Sequence, residues 1–219
     1  MDPARARWTE ARSRMVAEQL YGRGIRDERV LAAMAVVPRE AFVPGLEREA
    51  AYADGPLPIG GGQTISQPWV VARMTELLRV SPGDRVLEVG TGSGYQAAVL
   101  AEMGVRVSSI ERDPGLADGA RRLLAQLGYG DRVAVRTGDG SGGDPDGAPW
   151  DGILVTAGAP AVPLPIRDQL GDGRRLVVPL GPRNLQELLW IERRGGAFSE
   201  QSAGACRFVP LIGIGGWKA

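Results

Sequence analysis

Histidine is absent from all 219 residues. That removes the commonest general base, so a serine or cysteine nucleophile of the usual base-assisted kind has no partner here. It also removes a common metal ligand, and Cys206 is the only cysteine. A zinc centre is therefore not expected, no carboxylate spacing suggests another metal, and Cys206 cannot form a disulfide within the chain. Cys206 reads instead as a small apolar side chain on a strand. Lysine is nearly absent: Lys218 stands alone, and the other basic residues are arginines. Basic and acidic residues balance at 26 each, which gives no positive excess for a nucleic-acid surface. No apolar run approaches the ~20 residues that a membrane helix needs. The first fifteen residues carry Arg5, Arg7, Arg12 and Arg14 without an apolar stretch, so no secretory signal is expected. The expectation is a cytoplasmic monomer that binds neither membrane nor nucleic acid.

Hydrophobic residues make up 43% and charged residues 24%, enough for an ordinary buried core. Residues 1–80 read as helices plus a loop packed onto a core formed by residues 81–219, one structural domain overall. Trp8, Met15 and Leu20 lie on one helical face, and Gly22 and Gly24 end the run. Asp27 caps a second helix carrying Val30, Leu31 and Met34, closed before Pro38. A loop rich in proline and glycine runs from Pro44 to Gly62. A third helix follows, capped by Ser66 or Gln67, with Pro68 in its first turn and Val70, Met74, Leu77 and Leu78 as its apolar stripe. From Arg85 the pattern alternates. Strands are expected at 86–90, 105–111, 132–138 and 152–156, with helices after the first two. LVVPL, ELLWIER and CRFVPLIG supply three later strands, some pairing antiparallel at the edge. The result is an α/β fold with a doubly wound, mainly parallel sheet and an N-terminal helical extension.

The segment VLEVGTGSGYQAA sets Gly90, Gly92 and Gly94 between a strand and a helix. In an open α/β sheet this turn lies where ligands bind, and glycine lets the backbone approach them. Residues 92–97 match the G-x-G-x-x-A form of a dinucleotide fingerprint. Two features pull away from NAD: the register is late, and Glu88 sits two residues before the first glycine. A pyrophosphate wants donors and positive potential; a carboxylate suits a cationic ligand such as S-adenosylmethionine. Glu111, about 20 residues after Gly90, can accept from ribose hydroxyls. Asp139, between Gly138 and Gly140, is placed to accept an adenine amine.

GGGQTISQPWVVA raises a separate question. Ser66 looks placed for chemistry, yet the chain holds no histidine to activate it. The stretches MVAEQLYGRGIRDERVLAAMAVVPREAFVP, AYADGPLPIGGGQTISQP, VLEVGTGSGYQAAVLAEM, SSIERD, GDG, WDGILVTAGAP and RFVPLIG together resemble the protein-L-isoaspartate O-methyltransferases, with GQTISQP the most specific piece. That resemblance implies a Rossmann-like fold. It also implies methyl transfer from S-adenosyl-L-methionine to the free carboxylate of L-isoaspartyl residues in damaged proteins and peptides, leaving S-adenosyl-L-homocysteine. The ester then collapses to a succinimide.

The substrate carboxylate is itself the nucleophile, and with a pKa near 3.3 to 3.9 it is ionised at neutral pH. No base is needed. Ser66 becomes a positioning donor, its catalytic role, instead of an attacking group. The resemblance places Thr64, Ile65 and Ser66 between cofactor and substrate, with Thr64, Ser66 and Val209 touching substrate. It assigns Glu88, Gly90, Thr91, Gly92, Ser93 and Gly94 to the methionine end of the cofactor. Glu111 and Arg112 go to the ribose region, Gly138, Asp139 and Gly140 to the adenine, and Thr156 and Ala157 to the neighbourhood of the sulfur. Relatives often carry histidine or tyrosine where Trp69 stands; tryptophan either walls the pocket or is a partly buried helix residue. Three other readings stay open here: an aspartate O-methyltransferase for one dedicated peptide, an NAD(P)-binding oxidoreductase, and a binding module without turnover.

Overall fold

The computed structural model describes residues 3–218. Helix α1 (Pro3–Arg14) continues through a π-helical stretch, Met15–Leu20, and a short turn that ends at Gly24 with φ 95°. Met15 and Leu20 are buried on the face their spacing predicts, and Trp8 packs against them at the margin. In α2 (Glu28–Val36) the Asp27 carboxylate accepts from the Arg29 N–H at 2.9 Å, as an N-cap should.

The Pro44–Gly62 region departs from the expected loop. A 3₁₀ segment covers Gly45–Ala50, and β1 (Leu57–Gly60) pairs antiparallel with β2 (Gln63–Ile65). Gly60, Gly61 and Gly62 all have positive φ, which closes this hairpin in a way only glycine adopts readily. Helix α3 (Pro68–Leu78) begins two residues after β2, with Gln67 at its N-cap and no side-chain capping bond. Ser66 is therefore not a helix cap, and its neighbour's backbone takes that position.

The main sheet has seven strands: β3 (Arg85–Val89), β4 (Arg106–Glu111), β5 (Val133–Thr137), β6 (Trp150–Val155), β7 (Leu170–Leu180), β8 (Gln186–Arg194) and β9 (Ala197–Cys206). Their spatial order is β5-β4-β3-β6-β7-β8-β9. The first five in that order are mutually parallel, and β8 and β9 add antiparallel. Helices α4 (Tyr95–Glu102) and α5 (Pro114–Gln126) make the crossovers on the β3–β5 side, and a short α6 (Leu164–Asp168) precedes β7. The chain reverses its direction of travel across the sheet between β3 and β6, so a crevice opens at the carboxyl end of β3.

One apolar cluster runs from Met15 through Met34, Phe42 and Met74 to Leu154 and Phe208, so the N-terminal helices and the sheet share a core. A second cluster, with Leu87, Ile153, Leu176 and Leu211, fills the other face. The final strand differs from expectation. The edge strand is Ala197–Cys206, and RFVPLIG leaves the sheet after Cys206, touching it through an isolated parallel bridge of Gly158 with Pro210. Pro210 has no N–H for a ladder, and an exposed polar run, FSEQSAGA, forms the edge hairpin through the Gly195–Gly196 turn. Cys206 ends that strand half-buried, and burial pushes its thiol up to about 11.

Candidate active site

The crevice is a pocket of about 960 Å³, part of it open to solvent. The glycine turn after β3, the carboxyl ends of β4 and β6, the end of the hairpin leading into α3, and the segment after β9 contribute to it. Gly90, Thr91, Gly92, Ser93, Glu111, Arg112, Gly140, Thr156 and Ala157 line it on the sheet side. Thr64, Ile65 and Ser66 face them, with Val209 completing the wall. The topology thus brings together residues that are far apart in sequence.

Glu111 organises the turn. Its Oε2 accepts from the Gly92 N–H at 2.8 Å and its Oε1 from the Asp113 N–H at 3.0 Å. Each oxygen keeps a lone pair for a ligand hydroxyl. Gly94 N–H donates to the Thr91 carbonyl at 2.9 Å, and Tyr95 N–H lies 3.4 Å from the Ser93 hydroxyl. The Gly92, Gly94 and Tyr95 N–H groups are thus held by the turn's own acceptors, which leaves fewer donors for a pyrophosphate. The Thr156 hydroxyl shares its one proton between the Val89 and Gly90 carbonyls, at 3.0 and 2.5 Å, which helps hold Gly90 at φ 100°. A Cβ at Gly90 would overlap that hydroxyl.

Four expected site residues sit elsewhere. Glu88 does not reach the pocket: it is wholly buried, and its Oε2 accepts from the Ser109 hydroxyl at 2.5 Å. Ser109 in turn lies 2.5 Å from the Thr91 hydroxyl, so Glu88 supports the pocket floor through a chain of two hydroxyls. Its Oε1 has no hydrogen-bond partner among the described residues. Burial pushes the Glu88 carboxyl up to about 8; the Ser109 bond opposes this and the Glu111 charge adds to it. A group that is mostly protonated at neutral pH supplies no negative charge for a cationic ligand. Gly94 caps α4 and packs on Leu124 and Ala120. Gly138 and Asp139 also lie outside the pocket wall. The Asp139 carboxylate accepts from the Ser141 N–H at 2.9 Å and the Ile214 N–H at 3.0 Å, so it ties the chain's last turn to the sheet. Burial raises its pKa, but these bonds outweigh burial and hold it below the usual carboxylate range.

Trp69 takes the second of its two expected places. Its Nε1–H donates to the Arg23 carbonyl at 3.3 Å and its ring stacks under the Arg23 guanidinium, away from the pocket. Residues not expected from the sequence also line the site: Val71 and Met74 from α3, Tyr95 and Gln96 from α4, and Ile110. Val71 and Met74 are one helical turn apart, so a helical-wheel reading could have marked that face as shared between core and pocket.

Glu88 makes a testable contribution to stability. An unfolded glutamate ionises near 4.5 and the folded one near 8. Folding therefore takes up a proton between those values. The contribution of Glu88 is full below pH 4.5 and is lost as pH rises through about 8, by at most about 1.4 kcal/mol per pH unit. Glu88→Gln removes this dependence. In urea unfolding, the variant is expected to gain on the parent progressively from pH 5 to pH 8. Parallel curves would mean that Glu88 titrates normally in the folded chain.

Comparison with known proteins gives a consistent result. The model of the family described as protein-L-isoaspartate(D-aspartate) O-methyltransferase matches residues 11–215. The chain is 54% identical, over 96% of both lengths, to the protein-L-isoaspartate O-methyltransferase of Methanoregula boonei. It is 58% identical to protein-L-isoaspartate O-methyltransferase 2 of Pelobacter propionicus over 93% of this chain and 91% of the other. A solved protein-L-isoaspartate O-methyltransferase superposes with TM-score 0.84 at 29% identity, covering 94% of this chain and 67% of that one. A putative enzyme of this type from Plasmodium falciparum, solved in complex with S-adenosyl-L-homocysteine, superposes with TM-score 0.76 at 25% identity, covering 90% of this chain and 96% of that one.

Proposed function

Since this chain belongs to the protein-L-isoaspartate(D-aspartate) O-methyltransferase family, we propose that its pocket holds S-adenosyl-L-methionine against Glu111 and the glycine turn, with the carboxylate of an isoaspartyl residue held by Ser66. The enzyme methylates the free carboxylate of L-isoaspartyl residues in damaged proteins and so begins their repair. The observation that carries the site assignment is the single pocket lined on one side by Glu111 and Thr156 and on the other by Thr64, Ile65, Ser66 and Val209. The bound cofactor supplies an electrophilic methyl group on a positively charged sulfur.

Every other step is positional. Glu111 takes the ribose hydroxyls on the lone pairs left free by Gly92 and Asp113. Ser66 hydrogen-bonds one carboxylate oxygen, which aligns the other with the methyl path. Its hydroxyl is half-buried and has no partner among the described residues, so it is free to do so. Val209 and its neighbours wall the peptide side. The Val209 carbonyl is itself bound by the Gly158 N–H at 2.8 Å, which holds the wall in place. No proton moves, because the attacking carboxylate is already ionised. A cytoplasmic, monomeric enzyme without nucleic-acid function is part of this proposal; for the last point, the even balance of 26 basic and 26 acidic residues offers no positive excess. No described helix is long and apolar enough to cross a membrane.

The pH dependence of kcat/KM on an isoaspartyl peptide tests this reading. The rate is expected to be level from about pH 5 to 7, falling only as the carboxylate protonates near 4. A half-bell with an inflection near 6 to 7 would demand a general base and contradict the mechanism.

A further inference from the structure

Arg39 is a buried cation without an ion pair. Its side chain is 0% exposed, although an arginine stays charged inside a protein and burial of a charge is costly. Among the described residues it meets no carboxylate within ion-pair distance. Its Nε–H donates to the Ala51 carbonyl at 2.7 Å and its Nη2–H to the Ser66 carbonyl at 2.8 Å. The guanidinium lies 4.9 Å from the centre of the Tyr95 ring, and Nη1 has no hydrogen-bond partner within normal distance among the described residues.

These contacts converge on the pocket. Ser66 and Tyr95 both line it. Ala51 and Ser66 flank the β1–β2 hairpin, so one rigid fork closes the base of segment 52–65. The tip of that hairpin reaches the glycine turn, where a Cβ at Gly92 would touch Ile59. A planar guanidinium fixes two carbonyls at one separation; an ammonium on a flexible stem does not.

We propose that Arg39 is a positioning residue for methyl transfer, its guanidinium clamping the Ser66 carbonyl so that Ser66 faces the substrate carboxylate at the right distance. The proposal rests on the reading of Ser66 given above. Displacement of a positioning group by about 1 Å costs on the order of 100-fold in rate, whereas on the glycine-turn side Arg39 meets the Tyr95 ring and not Glu111.

The test uses Arg39→Lys, Ser66→Ala and the double variant, assayed with an isoaspartyl peptide at a temperature where circular dichroism shows all of them folded. Arg39→Lys is expected to lower kcat roughly 10- to 100-fold, with S-adenosyl-L-homocysteine affinity within about threefold of the parent by calorimetry. In the Ser66→Ala background the same change should cost less than about threefold, because the two act through one contact. If the lysine variant does not fold, Arg39→Met fills the volume without a charge and serves the same comparison. Parental kcat in Arg39→Lys overturns the proposal. So does a loss that persists in full beside Ser66→Ala, which sinks Arg39 alone. Parental turnover in Ser66→Ala sinks the reading of Ser66 and this proposal together.

Discussion

Replacing Ser66 with alanine is expected to lower turnover on an isoaspartyl peptide about 10- to 1,000-fold, the loss of one transition-state hydrogen bond worth ~1.4 to 4 kcal/mol. Ser66 is half-buried between β2 and α3, on the pocket wall facing Glu111 and Thr156. It caps nothing, because Gln67 holds the N-cap and α3 has no side-chain capping bond. Removing its hydroxyl therefore leaves the fold intact, and cofactor affinity should change little. The measurement is steady-state kinetics beside calorimetric titration with S-adenosyl-L-homocysteine. Unchanged turnover would reduce Ser66 to a spacer between hairpin and helix.

Glu111→Ala is expected to have the complementary signature. It removes the acceptor of the Gly92 and Asp113 N–H groups as well as the proposed partner of the ribose. Loss of charge-assisted hydrogen bonds worth about 2 to 4 kcal/mol weakens cofactor affinity roughly 30- to 1,000-fold. Turnover at saturating cofactor should fall much less, since the proposal gives Glu111 the ribose and Ser66 the reacting carboxylate. The same titration reads the result. Parental affinity would place the ribose elsewhere in the pocket.

The contrast between these two residues and Glu88 shows where sequence reasoning reached and where it stopped. The parallel strands are legible because short apolar runs such as VLEV and GILV end at glycine or threonine, and helical patterns follow the first two strands. Glu111 and the glycine turn followed from that register. Glu88 did not, because β3 is buried on both faces. Strand parity alone does not distinguish a carboxylate that enters the pocket from one that supports it from below. The β1–β2 hairpin was hidden by Pro58 and three successive glycines, which read as irregular chain. The edge strand Ala197–Cys206 was hidden because it is largely exposed and carries few apolar residues at period two. The place of Asp139 after β5 is legible, but one of its two partners is the distant Ile214, which no local pattern announces. Arg39 was illegible for a related reason. An arginine predicts exposure, and only the folded chain shows it beneath Ser66.

The most direct test of the central claim is methyl transfer from labelled S-adenosyl-L-methionine to two short peptides that differ only in carrying isoaspartate or aspartate at one position. The account predicts label on the isoaspartyl peptide alone, in a form that base releases as the ester collapses to a succinimide. Equal labelling of both peptides, or label on neither while S-adenosyl-L-homocysteine still binds, would contradict it.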